Sequence, residues 1–177
     1  MGNAFDLDAA IRKVPDFPRK GILYYDITSI LMDPRAFEYC ISTMISRYAA
    51  SGIDMVAAVE SRGFIFGGPI ARELGVPLLL IRKKGKLPGE TVSATYDLEY
   101  GTDTIEMHRA DLRSGQTILI VDDLIATGGT VRAAADLIAA AGSTVHEVTS
   151  IIGLTFLDYE RRLSPIPVHT LITYGSE

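Results

Sequence analysis

Two adjacent carboxylates, Asp122 and Asp123, precede a loop of small residues in the segment ILIVDDLIATGGTV. The loop, ATGGT at 126–130, offers backbone N–H groups that can converge on an anion, and its glycines reach torsions that other residues avoid. A helix is predicted directly after the loop, and its N-terminus adds the positive end of a dipole. Since carboxylates repel phosphate, the two acids should meet hydroxyl groups or cations further along the same ligand. A sugar phosphate satisfies both demands.

The loop differs from the two most familiar phosphate-binding motifs. It carries no lysine, so it is not a Walker loop, and it does not match the Gly-x-Gly-x-x-Gly turn of dinucleotide-binding proteins. A monophosphate ester therefore fits better than a triphosphate. Residue types alone leave a second interpretation open, in which the acids end a strand and the glycines only turn the chain.

The elements around this segment predict an α/β protein with a parallel sheet. The apolar runs IDMVAAVE, VPLLLIRK and TILIVDD are typical of strands buried on both faces, and helical segments separate them. We also expect a short helix over 3–13 and a longer one that starts at Asp33-Pro34 and runs to Gly52. Ligands bind such sheets at the carboxyl ends of the strands, where the acid pair stands.

One segment, 83–108, interrupts this alternation. It begins with lysine, glycine and proline instead of a helix signal, and its later part alternates as strands do. We therefore predict a two-stranded antiparallel excursion. Long excursions from a compact core are usually lids or binding loops.

Composition narrows the class of protein. A chain of 177 residues suits a single domain over 1–177, and its net charge of −5 argues against a broad nucleic-acid or membrane footprint. No apolar run reaches the roughly 20 residues that span a bilayer. Cys40 is the only cysteine, which predicts a small buried side chain and a reducing, cytoplasmic location. The three histidines are too scattered for a zinc site.

The segment VDDLIATGGT resembles the phosphoribosyl pyrophosphate signature of the type I phosphoribosyltransferases. The resemblance implies an α/β fold with a parallel-sheet phosphoribosyltransferase core flanked by helices, an antiparallel lid over 83–108 and a small N-terminal base-binding hood. It also implies that Asp122 and Asp123 lie by the ribose hydroxyls. The 5-phosphate would be held by the loop residues Ala126, Thr127, Gly128, Gly129 and Thr130.

Four further segments are similar to adenine phosphoribosyltransferases in particular: DFPRKGILYYDIT, VAAVESRGFIFG, RKKGKLPGETVSATYDLEYG and GLTFL. By this resemblance Ser61, Arg62, Lys83 and Lys86 bind pyrophosphate, with a cis peptide near Glu60–Ser61. Arginine presents a fork of donors that suits diphosphate oxygens. An arginine or lysine on a surface loop is the plainer alternative.

The same resemblance implies an adenine pocket formed by Leu23, Tyr24, Tyr25 and Leu154, with Tyr24 stacked on the base. Two positions depart from the pattern. Tyr25 stands where many members carry a basic residue, and Gly153 stands where glutamate commonly precedes the leucine. The hydrogen bonding around base and ribose should differ accordingly.

The implied reaction is transfer of the phosphoribosyl group from phosphoribosyl pyrophosphate to adenine, which gives AMP and pyrophosphate. Glu99 and Tyr100 would close over the site on the lid, with Glu99, Asp122 and Asp123 as catalytic residues. Mg²⁺ is expected, held mainly by substrate and water with no direct protein ligand. The family also implies a homodimer. A phosphoribosyltransferase for another base and a non-catalytic regulator that senses phosphoribosyl pyrophosphate remain alternatives.

Overall fold

The computed structural model describes residues 5–97 and 101–176. Its elements form one seven-stranded sheet, one two-stranded sheet and the helices around them. In chain order they are α1 Leu7–Ala10, β1 Arg12–Pro15, β2 Leu23–Asp26, α2 Thr28–Met32, α3 Pro34–Tyr48, β3 Met55–Val59, α4 Gly63–Leu74, β4 Leu78–Lys83, β5 Thr91–Asp97, β6 Thr102–His108, β7 Thr117–Ile125, α5 Gly129–Ala140, β8 Thr144–Leu154, a 3-10 turn Thr155–Leu157, α6 Tyr159–Leu163 and β9 Val168–Tyr174.

The large sheet has the strand order β5-β6-β4-β3-β7-β8-β9. Strands β4, β3, β7, β8 and β9 run parallel, whereas β6 is antiparallel to β4 and to β5. The predicted α/β fold with a parallel core is confirmed. Strands β4, β3 and β7 are neighbours, so their carboxyl ends meet at one edge of the sheet.

Two hydrophobic clusters cover the two faces of this sheet. Successive strand residues point to opposite faces, so Val56 joins the cluster of α1 to α4 while Ala57 joins the cluster of α5 and α6. In β7, Leu119 and Ile120 divide in the same way. Every residue of β3 is buried, as the apolar run predicts.

Strand β4 corrects the prediction of burial on both faces. Its exposure alternates along the strand, with Leu79 and Ile81 buried but Leu78 39% exposed. The physical reason is that Leu79 and Ile81 point to the face covered by the cluster of α5 and α6, whereas Leu78 points to the opposite face, where the covering is incomplete.

Helix signals are partly confirmed. Asp33 caps α3, its carboxylate accepting the Arg35 N–H, and Gly75 ends α4 in the left-handed region at φ 69°. The helix expected over 3–13 is wrong in extent, since its described part is helical only at Leu7–Ala10 and then becomes β1. Pairing with β2 satisfies that backbone instead. Helix α3 also ends at Tyr48, before Gly52.

The excursion is an antiparallel hairpin, as predicted. Strands β5 and β6 pair from Thr91 with His108 to Asp97 with Thr102. Glu106, 4% exposed, accepts the N–H groups of Lys86 and Leu87. Burial alone would raise the pKa of Glu106, but these hydrogen bonds lower it. The carboxylate therefore fixes the turn that leads into the hairpin.

Residues 5–32 form the small N-terminal unit, which packs on the end of β9. The rings of Tyr25 and Tyr174 stack at 3.9 Å between centroids, and the Tyr174 hydroxyl donates to Asp8 at 2.6 Å. No helix within the described ranges is long and apolar enough to cross a membrane. Cys40 is fully buried in α3, as predicted.

A forked ion pair joins α3 to β8. Arg47 donates through Nε and Nη2 to the two oxygens of Glu147, each at 2.8 Å, and the Tyr48 hydroxyl donates to the same carboxylate at 2.5 Å. Glu147 is only 8% exposed. Removing one partner would leave a charge in a poorly hydrated place, which is costly.

We expect Arg47→Ala to lower the free energy of unfolding by roughly 2 kcal/mol or more, because it leaves Glu147 without its cation. Arg72→Ala is the matched control, since Arg72 also lies in the last turn of a helix but pairs with Glu73 at the exposed surface. The control should change stability by no more than about 0.5 kcal/mol. Urea titration measures both, and equal losses would contradict the prediction.

Candidate active site

A cleft of about 420 Å³ opens at the shared carboxyl edge of β3, β4 and β7. Three segments from distant parts of the chain line it, because parallel neighbouring strands end at the same edge. Most of the predicted phosphate-site residues meet here, namely Ser61, Arg62, Lys83, Asp122, Asp123, Ala126, Thr127, Gly128, Gly129 and Thr130.

The acid pair is buried at the end of β7. Asp122 is 9% exposed and Asp123 is 3% exposed. The Asp122 carboxylate accepts the backbone N–H of Asp123 at 2.8 Å. Burial, together with the neighbouring Asp123 carboxylate, raises the pKa of Asp122 well above its usual range. The pair therefore favours the binding of hydroxyl donors or a cation.

Arg62 is the cation that faces this pair. Its Nε donates to the Asp123 carboxylate at 2.5 Å. Burial alone would lower the pKa of the Arg62 guanidinium, but the bond to Asp123 raises it. Arg62, the residue predicted to bind pyrophosphate, is therefore held by Asp123. An anion that binds Arg62 would change the electrostatic environment of the Asp123 carboxylate.

The close approach of α4 to β7 places the Ser61–Arg62 turn. Helix α4 begins at Gly63, where an added Cβ would lie 2.8 Å from the carbonyl oxygen of Val121. A larger residue would push the turn away from the acids. The Glu60–Ser61 peptide bond is cis, as the resemblance implies.

The anion loop joins β7 to the 12-residue helix α5. Gly128 has φ 76°, a left-handed conformation that favours glycine, and a Cβ there would lie 3.3 Å from that of Tyr159. The first intrahelical bond runs from the Arg132 N–H to the Gly128 carbonyl. The N–H groups before Arg132 therefore have no carbonyl within the helix, which is the usual arrangement for holding an anion.

The two predicted lysines separate. Lys83 lines the cleft, donates its backbone N–H to Glu60 at 2.8 Å and places Nζ 3.1 Å from Asp103. Lys86 is exposed in the following turn and is not among the residues that line the cleft. The structure thus brings only Lys83 to the phosphate site.

The N-terminal unit and the end of β8 contain the residues predicted to bind the base, with one correction. Leu23 and Tyr24 are partly exposed, and Leu154 is 9% exposed at the end of β8. Tyr25, predicted to line the adenine pocket, is a core residue instead. Strand alternation turns it away from Tyr24, and its ring is 5% exposed and stacked on Tyr174.

Glu99 and Tyr100, which are predicted to be catalytic and lid residues, lie outside the described residues. Two neighbouring side chains that the sequence did not single out, Tyr96 and Asp103, bond to predicted site residues. Tyr96 accepts the Thr130 hydroxyl at 3.1 Å, and Asp103 holds Lys83. Their position in an alternating segment next to the lysines was the available signal.

The chain matches the family model described as phosphoribosyl transferase domain over residues 28–164. An adenine phosphoribosyltransferase of Treponema denticola is 55% identical over 171 residues, which cover 97% of this chain and 90% of that protein. This chain belongs to the adenine phosphoribosyltransferase family.

Solved adenine phosphoribosyltransferases share the fold. The crystal structure from Thermoanaerobacter pseudethanolicus has a TM-score of 0.91 at 45% identity and covers 95% of this chain and 98% of its own. The Saccharomyces cerevisiae enzyme has a TM-score of 0.88 at 38% identity, covering 94% and 96%, and was crystallised with adenine and an imino-altritol bisphosphate. The suspected family and its enzyme class are confirmed.

Packing explains the two departures from the adenine phosphoribosyltransferase pattern. A Cβ at Gly153 would overlap the hydroxyl of Tyr159 and crowd the methyl group of Thr170, so a glutamate there requires both side chains to move. At the other position, the stack of Tyr25 on Tyr174 replaces a basic side chain. Both positions contribute packing in this chain, where other members would carry charge.

We expect Asp122→Asn to raise the melting temperature at pH 8. Between the unfolded carboxyl pKa near 3.9 and the raised folded pKa of Asp122, the folded state binds more protons, so the wild type loses stability as pH rises. Asparagine mimics the protonated acid and escapes this loss, by about 1 kcal/mol or more, roughly 2–4 °C.

The gain should vanish near pH 4, below which both states of the wild type are protonated. Thermal melts from pH 4 to 8 measure it. Asp111→Asn, at an exposed position, is the control and should show no such trend. A gain that is independent of pH would contradict the assigned cause.

Proposed function

We propose that the protein transfers the 5-phosphoribosyl group of phosphoribosyl pyrophosphate to adenine, giving AMP and pyrophosphate, as a purine-salvage enzyme. The observation that carries this proposal is the convergence of the acid pair, the anion loop and the Ser61–Arg62 turn in one cleft. Membership of the adenine phosphoribosyltransferase family and the adenine held by the yeast relative support the same substrate.

Each segment of the cleft suits one part of the donor. The loop 126–130 offers N–H groups and hydroxyls to the 5-phosphate, and Asp122 and Asp123 accept the ribose hydroxyls. Arg62 and Lys83 meet the diphosphate. With both ends held, the bond from C1 to the diphosphate oxygen would lie between the carboxylates at the ribose and the cations at the diphosphate.

In the reaction, the C1–oxygen bond breaks as adenine N9 attacks the opposite face and forms the C1–N9 bond. Positive charge develops at C1 as the diphosphate leaves. The protein lowers this barrier by orienting the two reactants and by stabilising charge, without a covalent intermediate. Leu23, Tyr24 and Leu154 would hold the neutral base between apolar walls.

Adenine loses a proton when N9 forms its new bond, and a general acid or base near N7 would manage that exchange. We assign this role to Glu99, because it is the acid in YDLEYG, a segment that resembles the lid of the adenine phosphoribosyltransferases. Closure of the lid would also exclude water from the charged site.

Mg²⁺ fits the donor set of the cleft. Asp122 and Asp123 supply hard oxygens, yet among the described residues no group of three or more potential ligands forms a metal cage. We propose that Mg²⁺ is held mainly by substrate oxygens and water, without a direct protein ligand, and that Asp122 and Asp123 act on this hydroxyl and metal environment. When bound, Mg²⁺ offsets the charge of the leaving diphosphate.

Incubation with phosphoribosyl pyrophosphate, Mg²⁺ and each of adenine, hypoxanthine, guanine, xanthine and orotate tests the substrate, with mass spectrometry of the nucleotides formed. We expect AMP alone. Chelation of Mg²⁺ should abolish it, and Glu99→Gln should lower kcat by roughly 10²-fold or more while the KM for the donor stays within a few-fold.

A nucleotide from another base would reassign the substrate, and no nucleotide from any base would favour the regulator. Unchanged turnover in Glu99→Gln would remove that residue from the catalytic set. Full activity in the chelator would contradict the magnesium proposal.

We also propose that the enzyme is a homodimer of the cytoplasm. Large apolar side chains stand exposed on the N-terminal unit, with Met32 80% and Phe17 51% exposed. The single thiol, buried in α3, suits a reducing compartment.

Light scattering should give twice the mass of one chain, and Met32→Glu should reduce this mass. A single-chain mass for the wild type would contradict the dimer. Cell fractionation checks the location.

A further inference from the structure

A chain of side-chain contacts connects the two phosphate ends of the cleft through the hairpin. The Thr130 hydroxyl donates to the Tyr96 hydroxyl at 3.1 Å, and Tyr96 donates to Oδ2 of Asp103 at 3.5 Å. The same oxygen lies 3.1 Å from Nζ of Lys83. One carboxylate oxygen thus receives both the tyrosine, linked to the anion loop, and the lysine of the predicted pyrophosphate site.

Strand register builds this chain. Tyr96 and Asp103 are directly opposed in the β5–β6 ladder, so their side chains share one face of the hairpin. The Tyr96 ring also packs on the anion loop, since a Cβ at Gly129 would lie 3.4 Å from its Cδ2. Asp103 is oriented by the Thr104 N–H, which donates to its Oδ1 at 2.8 Å.

The two hydrogen-bond donors at the ends of this series of contacts are the Thr130 hydroxyl and the Lys83 ammonium. Bound phosphoribosyl pyrophosphate needs both of them. A hydroxyl has one hydrogen, so Thr130 cannot donate to Tyr96 and to a 5-phosphate at the same time. The Lys83 ammonium is paired with Asp103, so a diphosphate has to compete with that carboxylate. The hydrogen bond and charge of Asp103 raise the pKa of Lys83, as expected for a lysine that pairs with a carboxylate.

We propose that Tyr96 and Asp103 are positioning residues that couple the 5-phosphate subsite to Lys83. This coupling rests on the proposed function. A 5-phosphate draws the Thr130 hydroxyl away from Tyr96, and a hydroxyl that no longer accepts a hydrogen bond is a weaker donor to Asp103. Because Tyr96 and Lys83 share one oxygen of Asp103, the carboxylate then pairs more strongly with Lys83, which becomes less available to the diphosphate. By linkage, diphosphate binding disfavours the 5-phosphate to the same extent.

The strength of the contacts suits a device that must yield. The Lys83 side chain is 58% exposed and that of Asp103 is 25% exposed. Pairs with such access to water contribute little to stability. A bound diphosphate can therefore displace the carboxylate, which otherwise keeps the lysine in place.

The test is calorimetric titration of pyrophosphate, in excess Mg²⁺, into the protein with and without saturating ribose 5-phosphate. Tyr96→Phe keeps the ring that packs on Gly129 but removes the hydroxyl. Thr95→Val is the matched control, because it removes a neighbouring hydroxyl contact, with Thr104, in the same hairpin. This contact is not part of the series that links Thr130 to Lys83.

In the wild type and in Thr95→Val, ribose 5-phosphate should weaken pyrophosphate binding by about two- to fivefold more than it does in Tyr96→Phe. Asp103→Asn should bind pyrophosphate about three- to tenfold more tightly without ribose 5-phosphate, since the competing charge is gone, and should lose the response to it.

Equal responses in the wild type and Tyr96→Phe, with both ligands bound, would overturn the coupling and leave the proposed function intact. Weaker pyrophosphate binding in Asp103→Asn would show that Asp103 is a ligand and no competitor, which also overturns it. If neither ligand binds the wild type, the proposed function fails and the coupling falls with it.

Discussion

Two carboxylates on consecutive residues of a buried strand repel each other, and much of the cleft follows from that repulsion. Asp122 responds by a raised pKa, while Asp123 is compensated by Arg62 from the neighbouring strand end. Helix α4 has to approach β7 closely for Arg62 to reach, which requires glycine at position 63. Two buried acids held in this way can accept hydrogen bonds from ribose hydroxyls and can interact favourably with a divalent cation.

The same principle extends along the cleft. Lys83 is paired with Asp103, and Thr130 donates to Tyr96, so the groups intended for the substrate bond to the protein before it arrives. Binding is then an exchange of partners in which little polar surface is left unsatisfied. The hairpin takes part in this exchange because its first strand lies on α5 and its second holds the carboxylate.

The sequence predicted the parts of the fold in which local patterns agree with the tertiary structure. Apolar runs gave β3 and β7, Asp33-Pro34 gave the start of α3, and the alternation after Lys86 gave the hairpin. Prediction failed where partners decide. Arg12 lies in a strand only because β2 is beside it, and Tyr25 is in the core because Tyr174 stacks on it from the other end of the chain. The contacts of Tyr96 and Asp103 depend on cross-strand register, which no single segment encodes.

Tyr159 joins two regions that the sequence separates. Its hydroxyl occupies the space above Gly153 near the base side, and its Cβ lies against Gly128 of the anion loop. A side chain at position 153 therefore requires Tyr159, and the methyl group of Thr170, to move. Because Tyr159 is fully buried, a smaller residue at position 159 opens the easiest evolutionary path toward glutamate at 153. Redesign of the base side of this enzyme should change residue 159 in the same step, because a displaced Tyr159 would press on Gly128 of the phosphate loop.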